Sequence, residues 1–300
     1  MKKMLSILFV GILLLSSCAI DQKTKDKPTT PIEVLPIVET KIYDEIEIVP
    51  EKHSTETSSE SISPDFESIK IKFQDEVPQY FGENVDGVVT RMDTSEKVVA
   101  LTFDACGGKN GQGYDQKLID YLIEEKVPAT LFINGRWIDE HEELFLLLSQ
   151  NELFEIENHG YAHKPLSVNG KSIYGIKGTQ NVSETIDEVW KNATKIEELT
   201  GKRPLYFRSG TAYYDEVAVK VITELEEKPV NFTILGDAGA KFTKEQIVKS
   251  AKGAISGSII LYHMNHPEGE TAEGILEVIP MLREKGFRFV LLKDYDQVMK

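Results

Sequence analysis

Val98-Val99-Ala100-Leu101-Thr102-Phe103-Asp104-Ala105-Cys106-Gly107-Gly108 decides how the chain is read. Its apolar, β-branched run stops at a lone acid and then at two glycines. That is the pattern of a buried strand that delivers a carboxylate to its C-terminal end and then turns. Downstream, other strand-like runs each end on a polar group: His159 and His163, Arg208, Asp237 and His263. Separate strands that bring such groups to one rim are the arrangement of a parallel α/β barrel, whose loops converge on one face while its helices pack outside.

Outward from this strand the pattern alternates. Helical spacing of Leu118, Ile119, Leu122 and Ile123 predicts a helix over 114–126, and Pro128 to Ile133 a second strand. Trp137 to Gln150 reads as one helix, and Leu153 to Glu157 as a strand leading to Asn158-His159. The glycine-containing stretch Lys164 to Gln180 reads as a rim loop. Asn181, with Glu184 three residues on, opens a helix that Gly201 stops. Strands are expected at 205–207, 230–235, 258–262 and 288–292, with helices near 215–226, 244–254 and 271–285. Thr90 to Asp93 reads as a lead-in hairpin. The count is seven strand and helix units, hence a distorted or open (β/α) barrel rather than an eight-unit one.

The N-terminal part differs in kind. Met1 to Ile20 has a basic start and an apolar run from Met4 to Leu15, too short to span a bilayer and laid out like a secretory signal. Cys18 follows Leu15-Ser16-Ser17 and resembles a bacterial lipobox, so residues 1–17 are expected to be a lipoprotein signal peptide and Cys18 the lipidated N-terminus. Residues 18–73, rich in Lys, Glu, Thr, Ser and Pro, lack a sustained apolar period and read as a disordered tether, with 74–300 as the folded domain. The run Ile42 to Val49 is taken as part of that tether. Export through a lipid anchor, facing the cell wall or periplasm, is the expected location.

The chain has 300 residues, a net charge of −15 and two cysteines. Such a charge speaks against nucleic acid as a partner, because phosphate binding needs concentrated basic surface. An acidic surface on a long tether is compatible with a monomer. With Cys18 lipidated, Cys106 has no disulfide partner and is a free thiol or a ligand. His159 and His163, four residues apart after a strand, can reach one metal ion from the same side, although a histidine pair by itself is a weak signal. Each strand-end charge has a bland counterpart: helix caps for Asp104 and Asp237, a surface ion pair for Arg208, a satisfied core imidazole for His263. Their recurrence at one structural phase is harder to dismiss, since interior strands exclude charge.

Taken in order, Thr102-Phe103-Asp104 with Gly107, His159-x-x-x-His163, Arg208, Asp237 and Leu261-Tyr262-His263 resemble the five motifs of the polysaccharide deacetylases, carbohydrate esterase family 4, over roughly Val98 to Asp294. The resemblance implies a distorted seven-unit (β/α) barrel. It also implies a divalent metal ion, zinc, and removal of acetyl groups from N-acetylated sugars of a cell-envelope polysaccharide. It makes Asp104 the catalytic base, His159 and His163 metal ligands, and His263 the general acid. Arg208 and Asp237 become the charged pair tuning base and acid, with Leu261 beside the acetyl methyl.

Two departures stand out. The family carries a second acid, its third metal ligand, directly after the base, where this chain has Ala105. It also carries proline two residues after the arginine, where this chain has Gly210, so an oxyanion donor expected near Thr211 is less rigidly placed. The lost ligand leaves three readings open: Asp104 itself on the metal, Cys106 as a thiolate ligand, or a site that binds glycan without cleaving it. Tyr213, Tyr161 and Trp137 are candidates to stack on sugar rings or simply to pack, and Asn158 and Tyr214 are further rim candidates. His266, His53 and His141 read as bystanders. A non-catalytic glycan-binding lipoprotein is the rival from another class, and an amidohydrolase for a small non-sugar amide is a third option.

Overall fold

The computed structural model describes residues 64–300. The expected signal sequence, Cys18, the 42–49 run and His53 lie outside the described residues. Helix α1 (Phe66–Phe73) and the two-residue strand β1 (Phe81–Gly82) precede the central strand β2 (Val98–Ala105). Then follow α2 (Gln116–Glu124), β3 (Ala129–Ile133), α3 (Gly135–Glu140), α4 (Glu142–Gln150) and β4 (Phe154–Asn158). A small hairpin, β5 (Ser172–Ile173) and β6 (Ile176–Lys177), leads to α5 (Val182–Thr200), β7 (Tyr206–Phe207), β8 (Tyr214–Asp215) and α6 (Glu216–Glu224). The chain ends with β9 (Lys228–Pro229), β10 (Ile234–Leu235), α7 (Lys244–Ala251), β11 (Ser258–His263), α8 (Thr271–Glu284), β12 (Arg288–Phe289) and a 3-10 turn, Leu292–Val298.

Seven strands form a parallel path in the order β10-β11-β2-β3-β4-β7-β9, and β12 pairs with Val98 and Val99 at the start of β2. β9 and β10, the two ends of the path, do not pair with each other, so the sheet curls without closing. The open seven-unit barrel expected from the alternation is the architecture found. Residues 89–92 are not a hairpin of their own. They bridge across the sheet instead, Val89 pairing with Val230 and Arg91 with Ser258.

Strand alternation sorts the layers. On β2, Val99, Leu101, Phe103 and Ala105 join the large cluster under the helices, while Val98 and Ala100 join a second cluster with Phe132, Tyr206 and Ile259. Thr102 and Asp104 continue that second face. The same parity turns His263 of β11, and Arg208 beyond β7, toward the inside.

Four boundaries differ from expectation, each for a physical reason. The tether does not run to Phe73, because α1 is helical: the Asp65 side chain accepts from Ser68 N at 3.1 Å, and Ile69 and Phe73 are buried against α5 and α6. The expected 137–150 helix breaks at His141, whose φ is −131° and whose Nε2 donates to the Gln112 carbonyl at 2.6 Å. The 230–235 strand shrinks to two residues because Arg208 takes the Val230 and Asn231 carbonyls. The 288–292 strand shortens because Leu292 N and Lys293 N donate to the Glu155 carboxylate instead. Among the described residues no helix is long and apolar enough to cross a membrane.

Candidate active site

Parallel register brings the chemistry together. Asp104 and His263 are direct partners across β2 and β11, and Asn158, one residue before His159, pairs with Phe207, one before Arg208. Asp104 is 3% exposed and Arg208 wholly buried. Arg208 Nη1 donates to Asp104 Oδ1 at 2.8 Å and to Thr102 Oγ1 at 3.0 Å, and its guanidinium lies over the Phe132 ring. Burial pushes the Asp104 carboxyl up, but the positive fields of Arg208, His159 and His263 outweigh it, and the group is held below the ordinary carboxylate value.

His159 Nδ1 donates to the Arg208 carbonyl at 2.9 Å. That contact fixes the tautomer and leaves Nε2 as a lone-pair donor facing Cys106 Sγ at 3.8 Å, with Asp104 Oδ2 at 3.5 Å. Burial lowers the His159 pKa, which favours the neutral, ligating form. His163 follows with its ring centroid 5.0 Å from that of His159, and its Nε2 is buried without a hydrogen-bond partner. Cys106, His159 and His163 offer donor atoms that all lie within 4.8 Å of one another. Asp104 sits beside this trio rather than in it. Burial raises the Cys106 thiol, but His163 and His263 more than offset this and hold it at about 7.

The loop carrying His163 is clamped from α5. Glu188 Oε1 accepts from Ala162 N at 3.0 Å and from Lys164 N at 3.1 Å, holding His163 in the left-handed region at φ +59°. Nothing in the sequence singled out Glu188, which lies on a helix face among ordinary acids. Gly210 rests against the backbone of His163 so closely that any Cβ there, a proline's included, would overlap it.

On the opposite side, His263 Nδ1 donates to Asp237 Oδ1 at 2.8 Å. Asp237 Oδ2 accepts from His263 N at 2.7 Å and from Thr271 Oγ1 at 3.0 Å. Burial works against the imidazolium, yet the Asp237 charge prevails and the His263 pKa lies well above its ordinary value. Nδ1 is thus committed to Asp237, and Cys106 is the ring's other hydrogen-bonding neighbour.

Leu261 is nearly buried, and Thr211 Oγ1 is buried without a partner. Tyr213 is half-buried at the rim, 5.5 Å from the Phe81 ring and 5.7 Å from the exposed Tyr174. Other candidates are structural. Trp137 is fully buried with Nε1 on the Gly113 carbonyl, so it cannot stack on a sugar. Asn158 is consumed by Val189 O, Glu227 and Gly160 N, and Tyr214 OH accepts from Ser209 N. His266 pairs with Glu268 on the surface.

Residues 91–230 match the polysaccharide deacetylase family model. Peptidoglycan-N-acetylmuramic acid deacetylase PdaA of Bacillus subtilis strain 168 is 26% identical over 231 residues, 72% of this chain and 80% of that protein. Among solved structures, a family 4 carbohydrate esterase from Bacillus anthracis aligns with a TM-score of 0.54 and 25% identity, over 78% of this chain and 92% of that one. A carbohydrate esterase family 4 pseudoenzyme from the same organism aligns at 0.59 and 20% identity, over 71% and 69% of the two chains. The matched segment holds Asp104, His159, His163 and Arg208, the barrel supplies Asp237 and His263 from beyond it, and residues 91–230 are a polysaccharide deacetylase domain, with Ala105 in place of the second acid of its first motif.

Proposed function

We propose that this chain is a metal-dependent hydrolase that removes acetyl groups from N-acetylated sugars of a peptidoglycan-like polysaccharide, acting at the cell envelope from a lipid anchor at Cys18. The observation that carries the reading is the pairing of Asp104 and His263 on adjacent strand ends, each with its own counter-charge, beside a Cys/His/His donor group. The relatives named for peptidoglycan deacetylation support the substrate class.

The donor set fits a divalent ion such as zinc: two imidazole nitrogens and a thiol converge, and one of those nitrogens, His163 Nε2, is buried without any other partner. His159 and His163 would hold it, and such an ion supplies polarisation of the acetyl carbonyl and acidification of water. The protein's own groups do the rest. Asp104, kept ionised by Arg208, accepts the proton of the attacking water. His263, kept cationic by Asp237, returns a proton to the departing amine, a poor leaving group without it. Leu261, Thr211 and Tyr213 would take the acetyl group and its sugar.

Acetate release from N-acetylated chitooligosaccharides and from peptidoglycan, with and without added zinc, tests the reading. Zinc-dependent acetate release that disappears in His263→Ala supports it. Glycan binding with no acetate at any metal concentration would instead establish a non-catalytic glycan-binding protein, the reading that Ala105 favours.

A further inference from the structure

We infer that Cys106 is the third protein ligand of the divalent metal, completing a two-histidine, one-thiolate site with His159 and His163; this rests on the metal-dependent reading above. In this chain β2 runs on through residue 105, and its pleat turns that side chain into the core. Ala105 ends β2 on the same face as Val99, Leu101 and Phe103, wholly buried in the cluster under the helices. A carboxylate there would sit in hydrocarbon, on the side of the strand away from the two histidines. Cys106, one residue on, has the parity of Asp104 and therefore faces them. The backbone holds it there: Asn134 N donates to the Ala105 carbonyl at 3.0 Å, and Gly107, at φ +65°, turns the chain immediately afterwards.

The distances suit one shared ion. Zinc–sulfur and zinc–nitrogen bonds of ordinary length in a tetrahedron place sulfur and nitrogen about 3.6 Å apart. Cys106 Sγ and His159 Nε2 stand at 3.8 Å, and His163 completes a trio in which no donor separation exceeds 4.8 Å. Both imidazoles are poised for it, His159 by its Nδ1 bond to Arg208 and His163 by its unpartnered Nε2. Asp104 is otherwise engaged, with Oδ1 on Arg208. A thiolate carries the same single negative charge as the carboxylate it replaces, so the site keeps its charge balance while becoming softer. It should favour zinc and cobalt over magnesium and manganese, and it leaves Asp104 free as the base.

The test uses the full chain in detergent carrying Cys18→Ser, which makes Cys106 the only thiol of the two in the sequence. It is titrated with Co²⁺ and followed by absorption. One bound equivalent with a near-ultraviolet thiolate-to-cobalt charge-transfer band is expected. Cys106→Ser should abolish the band and weaken Co²⁺ binding by about 100-fold or more. Cys106→Asp should restore binding without the band, and saturating zinc should protect Cys106 from iodoacetamide. One equivalent bound without the band, unchanged in Cys106→Ser, would overturn the thiolate ligand and leave the metal-dependent deacetylase standing. Acetate release with no metal bound, abolished by alkylating Cys106, would overturn both and identify a thiol nucleophile served by His263 and Asp237. Neither metal binding nor acetate release would overturn both in favour of a glycan binder.

Discussion

Asp104 at the rim and Glu155 and Glu157 along β4 are almost equally hidden from water, yet their surroundings treat the charge in opposite ways. Asp104 faces a guanidinium and two imidazoles, and its carboxyl is held low. Glu155 and Glu157 meet neutral donors, namely Thr130 Oγ1 and the backbone N–H groups of Leu292, Lys293, Leu205 and Tyr206. Burial pushes both carboxyls up, and Glu157 well up. Glu227, bonded by Asn158, follows them to about 8. The inner acids tie strand ends to the closing turn and to the start of β7. A buried carboxylate therefore marks a reaction centre here only where a cation and a reachable lone pair come with it.

The contrast breaks first at the donor trio. His163→Ala removes the one buried ring nitrogen in the site that has no protein partner, and should lower acetate release by about 1,000-fold or more while metal content falls from one equivalent toward none. An active variant without metal would end the metal-dependent reading. Next comes the charge pair. Arg208→Met leaves Asp104 buried without its cation and should cost about 3–5 kcal/mol in urea unfolding, part of which Asp104→Asn in the same chain should recover. Full additivity of the two changes would mean that the pair is not coupled.

Asp237→Asn should lower turnover by roughly 10- to 100-fold with little change in KM, because it removes support for the cationic form of His263 rather than a contact to substrate. An equal rise in KM would instead place Asp237 in binding. The smallest effect separates the inner acids. Glu227 has a folded-state pKa of about 8, above the ordinary 4.5, so its contribution to stability is greatest below the unfolded value and is lost as pH rises through the folded one. Thermal unfolding should fall between pH 5 and pH 8, with Glu157 and Glu188 acting in the same direction. Glu227→Gln should shrink that fall by about 2–4 °C. A variant with an undiminished fall would show that Glu227 does not carry it.

The reading of β2 shows how much a linear pattern can hold. An apolar run, an acid and two glycines are local facts, and they located the strand, its end and its turn. So did the recurrence of His159, Arg208, Asp237 and His263 after similar runs, because a parallel strand end is a position in sequence as well as in space. Helix α1 was less legible, since only Ile69 and Phe73 among its residues are buried, too few to stand out in a stretch of Ser, Glu and Lys. Glu188 left no mark at all, because an acid on a helix face looks the same whether it meets water or two backbone N–H groups.

Residue order along the chain thus determined the alternating elements, the open seven-unit barrel and the set of groups at its rim, since hydrophobic periodicity and strand length are properties of neighbours. Which of those groups meet was decided only by the tertiary structure. The pleat turned Ala105 into the core and Cys106 toward His159 and His163, parallel register set Asp104 beside His263, and Arg208 took carbonyls that would otherwise have extended a strand. Those contacts join residues dozens to more than a hundred positions apart, where strand pairing and close packing, rather than sequence spacing, set the distances.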